Sequence, residues 1–433
     1  MTTAKVRRMI DRNVAVRVSM AVLVLVLTMA SALRADDVVT HWNKVMLATI
    51  AAEGTDPVTS TRTAAIVQAA VFDSVNGIQR EYTPIHADFP KPYGASVAAA
   101  VIQSAYATLV ALYPDQRPTL KAERNSSLAK LHASPHARKL GLDFGARVAA
   151  DILAWRSMDG FDQVLPPYLG GNDIGQWRPT PPDFRPGALP QVATMVPWSI
   201  RSPRQFRPAG PPALTSDEYA AAFNEVKTMG SALNSPRTPD QTLLALFWAG
   251  NTPAFWNRIA NFVINEHLGL PLINKARVLA LLNITMSDAA IACWDAKYYY
   301  VFWRPITAIT LADLDGNPDT DVDSSWTPLL GGTPAHPEYV SGHSTVSASA
   351  AWVLAHFFGN DTPFVIDSEK VPGVWRAFPS FSQAVLEIND ARVFAGIHFR
   401  TSCLDGNALG TKVARFVMRH SIRPIPNGPE AEQ

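Results

Sequence analysis

Three short segments in the C-terminal half concentrate side chains able to hold an anion: Lys297-YYYVFW-Arg304-Pro305, Ser341-Gly342-His343 and Arg392-VFAGI-His398. Together they can build a cage for one tetrahedral oxyanion with a histidine at its apex. Arginine offers a planar fork of donors matched to such oxygens, and lysine offers a point charge. Taken singly, a lysine or arginine on a helix reads as a solvated charge, and a histidine in an apolar run as a satisfied core residue. Taken together, KYYYVFWRP and ARVFAGIHF put cations into aromatic-rich surroundings. Buried charge without a partner is costly, and a bound anion is the simplest partner.

The spacing also says which elements must position these groups. Lys297 and Arg304 are seven residues apart, so the expectation is one helix carrying both on one face, with Cα atoms roughly 10 Å apart. Pro305 then disfavours continuing that helix. Ser341 is expected as the N-cap of the run TVSASAAWVLAHFF, with Gly342 letting the backbone approach a ligand and His343 in the first turn. Arg392 and His398 are six residues apart, about 120° around a helix, so they would flank one anion from different directions. Gly396 permits close packing beside His398.

In this order and spacing the segments resemble the superfamily that joins vanadium-dependent haloperoxidases with type 2 phosphatidic acid phosphatases and bacterial acid phosphatases. Its pattern is Lys-x6-Arg-Pro, then Pro-Ser-Gly-His, then Ser-Arg-x5-His. The FWRP ending, and the N-terminal stretches VVTHWNKVMLATI and AAIVQAAVFDSVNGI, resemble the haloperoxidase branch. The resemblance implies vanadate as cofactor, with His398 as axial ligand to vanadium, or as the nucleophile in a phosphatase. It implies His343 as the acid–base group. Lys297, Arg304, Ser341, Gly342 and Arg392 would hold the oxyanion, Lys297 also polarising peroxide. It makes hydrogen peroxide and halide the substrates, an organic molecule a further acceptor, and a homodimer the expected assembly. His336, five residues before Ser341, stands where bromo- and iodoperoxidases tend to have histidine, which favours bromide or iodide. The chain departs from the pattern at Val340 and Ala391. It has Ser402 where the family often has an aspartate to orient the last histidine, the nearest acid being Asp405. Asn251, in FWAGN, stands where haloperoxidases tend to have an acid.

The composition bounds the alternatives. The 433 residues are 47% hydrophobic and 17% charged, with net charge +1. That is enough for a large core and gives no sign of a nucleic-acid partner. Arg7, Arg8, Arg12 and Arg17 precede an apolar run, Met20 to Met29, and a small-residue site at Ala30-Ser31-Ala32 or Ala35. This reads as a secretory signal, with an uncleaved anchor as its rival, so the mature protein is expected in the periplasm or outside the cell. Arg7-Arg8 leaves Sec and twin-arginine export both open. No other stretch reads as long and apolar enough to span a membrane, which argues against an integral lipid phosphatase. Cys293 and Cys403 lie near site segments, where an exported protein could bridge them.

Apolar residues recur at helical spacing nearly throughout, so the expected fold is all-α, two packed four-helix-type bundles with a long Pro-rich connector. The expected division is a signal, 1–35; an N-terminal region of four or five helices, 36–164; the connector, 165–214; a catalytic bundle, 215–420; and a tail, 421–433. The connector holds 12 of the 34 prolines and is expected to wrap the surface. The acidic run Asp313–Asp323 lacks calcium-loop spacing and reads as a solvated loop. Trp303, Trp352 and Trp375 read as core. The leading function is a vanadate-dependent haloperoxidase; the alternatives are an acid phosphatase acting through phosphohistidine at His398 and a silent oxyanion binder.

Overall fold

Asp37 and Asp56 each accept backbone N–H groups two and three residues on, and so start the first two helices. The computed structural model describes residues 37–426; the expected signal, 1–35, and the end of the tail lie outside them. The N-terminal helices are α1 (Val38–Ala52), α2 (Pro57–Gln79), α3 (Val97–Leu112), α4 (Arg117–Ala129) and α5 (Pro135–Arg156). The C-terminal set comprises α6 (Asp217–Met229), α7 (Pro239–Phe247), α8 (Thr252–Glu266), α9 (Leu272–Tyr300), α10 (Pro305–Thr310), α11 (Gly342–Phe358), α12 (Phe381–Phe394) and α13 (Arg400–His420). The strands described are a short antiparallel ribbon, β1 (Phe364–Asp367) with β2 (Trp375–Phe378). This is the all-α architecture that the patterning predicts.

Helix α9 is the axis of the molecule. It packs on α2 of the N-terminal set and on α11 and α13 of the C-terminal set. Every residue from Val278 to Lys297 is buried, so this helix has no wet face. By length and hydropathy it could cross a membrane, contrary to the sequence expectation; 94% of its apolar window is buried inside the protein. Protein, not lipid, surrounds it. Against α11, Gly406 and Gly410 let α13 approach closely: a Cβ at Gly410 would stand 2.1 Å from the Thr345 carbonyl oxygen. That contact fixes the first turn of α11, where His343 sits.

The Pro-rich connector runs as a strap with short 3₁₀ turns at Pro190–Thr194 and Pro203–Phe206. It lies along α9 with Trp177, Val192, Met195 and Ile200 buried beneath it. Asp288 of α9 accepts the N–H groups of Trp198, Ser199 and Ile200 at 2.7–2.9 Å. Arg207 forks onto Asp295 at 2.6 and 2.7 Å. Burying an indole such as Trp177 contributes about 4–6 kcal/mol of transfer free energy before entropy. The strap is a fixed wall.

Two expectations fail here. Trp303 is fully buried, but Trp375 is 57% exposed on β2; the ribbon has one wet face, and Trp375 lies on it. Trp352 is half-buried, stacked on His356. The acidic loop is not simply solvated either. Asp315 is buried and accepts from the Asn317 N–H and the Thr320 hydroxyl, while Asn317 donates to the Leu214 carbonyl. The loop is a self-bonded turn pinned to the strap.

Candidate active site

Lys297 and Arg304 do not share a helix. Helix α9 ends at Tyr300, Val301 turns left-handed at φ 51°, and Arg304 is the extended residue before Pro305 opens α10. The reversal is held by the strap: the Trp177 N–H donates to the Val301 carbonyl and the Trp303 N–H to Gly175. Aromatic and β-branched residues at 298–303 suit this short extended pairing better than another helical turn. Arg392 and His398 are parted in the same way. Arg392 is near the end of α12, and Gly396, at φ 77°, turns the chain so that His398 stands in the bend before α13. A Cβ at Gly396 would meet the Gly230 carbonyl at 2.5 Å.

Despite these differences the three segments converge. Ser341 caps α11 through its hydroxyl, Gly342 is the first helical residue, and His343 lies in the first turn, as expected. A cavity of about 750 Å³ is lined by Gly342, His343, His336, Arg392 and His398. Lys297 and Arg304 sit just behind its wall, both at 0% exposure. Lys297 Nζ donates to the Pro337 and Glu338 carbonyls, each at 2.9 Å. Arg304 donates to the carbonyls of Pro334, His336 and Ile397, and its Nη1 reaches His398 Nε2 at 3.3 Å. It therefore stitches the 334–337 loop to the bend at 397–398.

The residue that sequence reasoning missed is Glu338. Its Oε1 lies 2.7 Å from His398 Nδ1 and also accepts the Phe399 N–H at 3.0 Å. Arginine can only donate and the carboxylate accepts, so His398 carries its proton on Nδ1 and a lone pair on Nε2, facing Arg304. The aspartate expected after His398 is thus replaced by a glutamate from the opposite loop. One cue was present: Glu338 is the only acid in TPAHPEYVSGHS. Asp405 serves elsewhere, accepting from the Tyr339 hydroxyl at 2.7 Å. Asn251 is the N-cap of α8, bonded to Ser60 and the Thr55 carbonyl. The neighbour that reaches His343 is the Gly250 carbonyl, 3.3 Å from Nε2, which leaves the His343 lone pair on Nδ1. His336 accepts from Arg304 Nη2 through Nδ1 at 2.9 Å and packs against Trp294. Cys293 and Cys403 are both buried and free, so no disulfide joins them.

Burial dominates the electrostatics. It pushes Lys297 down to about 7 and Glu338 up to about 7, and it brings Arg304 and Arg392 down to about 10. Burial and the surrounding cations hold His336, His343 and His398 well below the usual imidazole range, so all three rings are neutral. Three buried cations face one carboxylate. Arg392 donates to the Trp248 carbonyl at 3.2 Å, but its Nε has no partner among the described residues. A buried, unpaired guanidinium N–H at the edge of a cavity is chemically suited to an oxyanion.

Comparisons with known proteins bear on the family and the fold. Residues 277–427 match the family described as the VCPO second helical-bundle domain. The vanadium chloroperoxidase of Curvularia inaequalis is 28% identical over a match covering 44% of this chain and 42% of that protein. The chain therefore spans about two fifths of that relative's length. Among solved structures, a bacterial vanadium-dependent iodoperoxidase superposes with TM-score 0.77 at 24% identity, covering 88% of this chain and 96% of the other. The holo form of a bacterial vanadium-dependent chloroperoxidase gives 0.68 at 16% identity, covering 84% and 92%. The segment 277–427 thus matches the VCPO second helical-bundle domain, and the chain as a whole shares the fold of these solved vanadium-dependent haloperoxidases.

Proposed function

We propose that this chain is an exported, vanadate-dependent haloperoxidase that oxidises bromide or iodide with hydrogen peroxide. The observation that carries the reading is three buried cations against one carboxylate, arranged around the lone pair of a carboxylate-oriented histidine. Vanadate fits this donor set. Lys297, Arg304, Arg392, Ser341 and the Gly342 N–H would hold its oxygens, and His398 Nε2 would donate its lone pair to it. When bound, vanadate supplies Lewis-acid activation of peroxide for two-electron oxidation of a halide.

The chain's own residues do the rest. The cations hold negative charge in a water-poor site, where fixed charge acts most strongly. Glu338 keeps the His398 proton on Nδ1 and so keeps Nε2 available. His343, neutral and donating from Nε2 to Gly250, receives a proton at Nδ1. His336, on the cavity wall, is the residue on which the preference for bromide or iodide rests.

An acid phosphatase is the second reading, because a histidine oriented through Nδ1 with Nε2 free is equally suited to attack phosphorus. One experiment separates them: bromination of a dione with peroxide and bromide, with and without orthovanadate, beside phosphate-ester hydrolysis. Vanadate-dependent bromination is expected. Ester hydrolysis without bromination would move the assignment to the phosphatase.

A further inference from the structure

Glu338 is held by its backbone and by one of its carboxylate oxygens. Its N–H donates to the Phe302 carbonyl at 2.8 Å, and its own carbonyl accepts from Lys297 Nζ at 2.9 Å. Oε1 takes the His398 ring and the Phe399 N–H. Oε2 is buried and has no partner among the described residues. A carboxylate oxygen out of water and without a donor is costly, so its surroundings are where a missing contact is to be sought.

A donor stands beside it. Phe399 is the N-cap of α13, which makes Ser402 the third residue of that helix. A polar side chain at this position reaches back toward the N-cap N–H. Here Glu338 Oε1 already holds that N–H, so the Ser402 hydroxyl is brought to the carboxylate. Ser402 Oγ is itself buried and without a partner among the described residues. Burial pushes the Glu338 carboxyl up, while Lys297, Arg304, the Phe399 N–H and the Ser402 hydroxyl draw it back. The serine is anchored too, its carbonyl accepting the Ser341 N–H at the head of α11 at 3.1 Å. A hydroxyl proton turns about its C–O bond to whichever acceptor is in reach. One orphan acceptor and one orphan donor thus lie next to the contact that orients His398.

We propose that Ser402 is a positioning residue, its hydroxyl donating to Glu338 Oε2 and fixing the plane of the carboxylate whose other oxygen holds His398. Ser402 is not among the residues that line the cavity, so its effect passes through Glu338 and then through the His398 tautomer. The terminal torsion of a glutamate is soft, and a carboxylate held by one oxygen turns about it. Held by both, it keeps Oε1 aimed at Nδ1 and leaves the Nε2 lone pair toward the cage. Ser402 serves a peroxidase and a phosphatase alike, because both need Nε2 free.

Imidazole nitrogen-15 resonances of the full chain, without vanadate, report the tautomer directly, the His398 pair being identified by its loss in His398→Ala. Wild type is expected to show a protonated Nδ1 and a bare Nε2. In Ser402→Ala, with circular dichroism unchanged, the two resonances should move toward each other. Calorimetric affinity for orthovanadate should fall about tenfold. An idle buried hydroxyl, by contrast, is removed at no cost. In a Glu338→Gln background Ser402→Ala should change neither readout further, because the hydroxyl works only through the carboxylate. Unmoved resonances or unchanged affinity in Ser402→Ala, or losses that add in the double variant, would overturn the proposal. Halide turnover plays no part in these readouts. Failure to brominate would remove the peroxidase reading and leave this result standing, while unmoved resonances in a brominating chain would remove Ser402 alone.

Discussion

Among the described residues the molecule buries two clusters of arginine, and only one of them has a cavity beside it. In the N-terminal half, Arg62 and Arg156 share Asp159 at 2.8 and 2.9 Å. Arg62 Nη2 also donates to the Arg156 carbonyl and Arg156 to the carbonyls of Val196 and Pro197, and their faces are covered by Phe161 and Trp198. Around His398 the ratio is three cations to one carboxylate, one guanidinium N–H has no partner, and a cavity reaches the cluster. Buried positive charge is therefore not itself the mark of an anion site. The mark is charge in excess of its acceptors, beside space that a ligand can enter.

The comparison breaks most sharply at His398. His398→Ala should abolish vanadate-dependent turnover while circular dichroism and melting temperature stay close to wild type; retained turnover would remove His398 from the reaction. The cluster of Arg62, Arg156 and Asp159 should respond in the opposite way. Asp159→Asn removes the carboxylate that both buried arginines share and should cost about 3–5 kcal/mol of stability, read by denaturant unfolding. Oxyanion affinity at the cage should not change.

Much of this contrast was legible in the sequence, and what was not has physical causes. The Ser341 cap and the placing of His343 follow from local chemistry that a short segment carries whole. The helical periodicity of the N-terminal half, likewise local, became α1 to α5. Lys297 and Arg304 were misread because strap residues 175–177, more than a hundred positions away, pair with 301–303 and override the heptad spacing. Arg392 and His398 flank one cavity as expected, but not from one helix, because Gly396 makes a turn that only its tertiary neighbours require. Glu338 lies 60 residues from His398, and no periodicity links them.

Smaller effects sharpen the account. Glu338→Gln frees the His398 tautomer and should cost about 10–100-fold in vanadate affinity or turnover, with Glu338→Asp recovering part of it. Full activity in Glu338→Gln would mean that the 2.7 Å contact does not orient the ring. Smaller still is the effect of pH. Lys297 and Glu338 both titrate near 7 in the free cage, while Arg304 and Arg392 stay charged to about 10. Raising pH through 7 removes a positive charge at Lys297 and adds a negative one at Glu338, and both changes oppose an anion. Affinity for sulfate, whose own charge is constant there, should fall about tenfold between about pH 6 and about pH 8. In Lys297→Gln the fall should be shallower; a pH-independent sulfate affinity in wild type would exclude both groups from the cage.

The central claim is that the excess charge around His398, and not buried arginine in general, binds a tetrahedral oxyanion. Isothermal titration with orthovanadate of wild type, His398→Ala and Asp159→Asn, at a temperature where all three are folded, tests it directly. The account predicts one equivalent bound by wild type and by Asp159→Asn, and binding lost in His398→Ala. Equal binding by wild type and His398→Ala would contradict it.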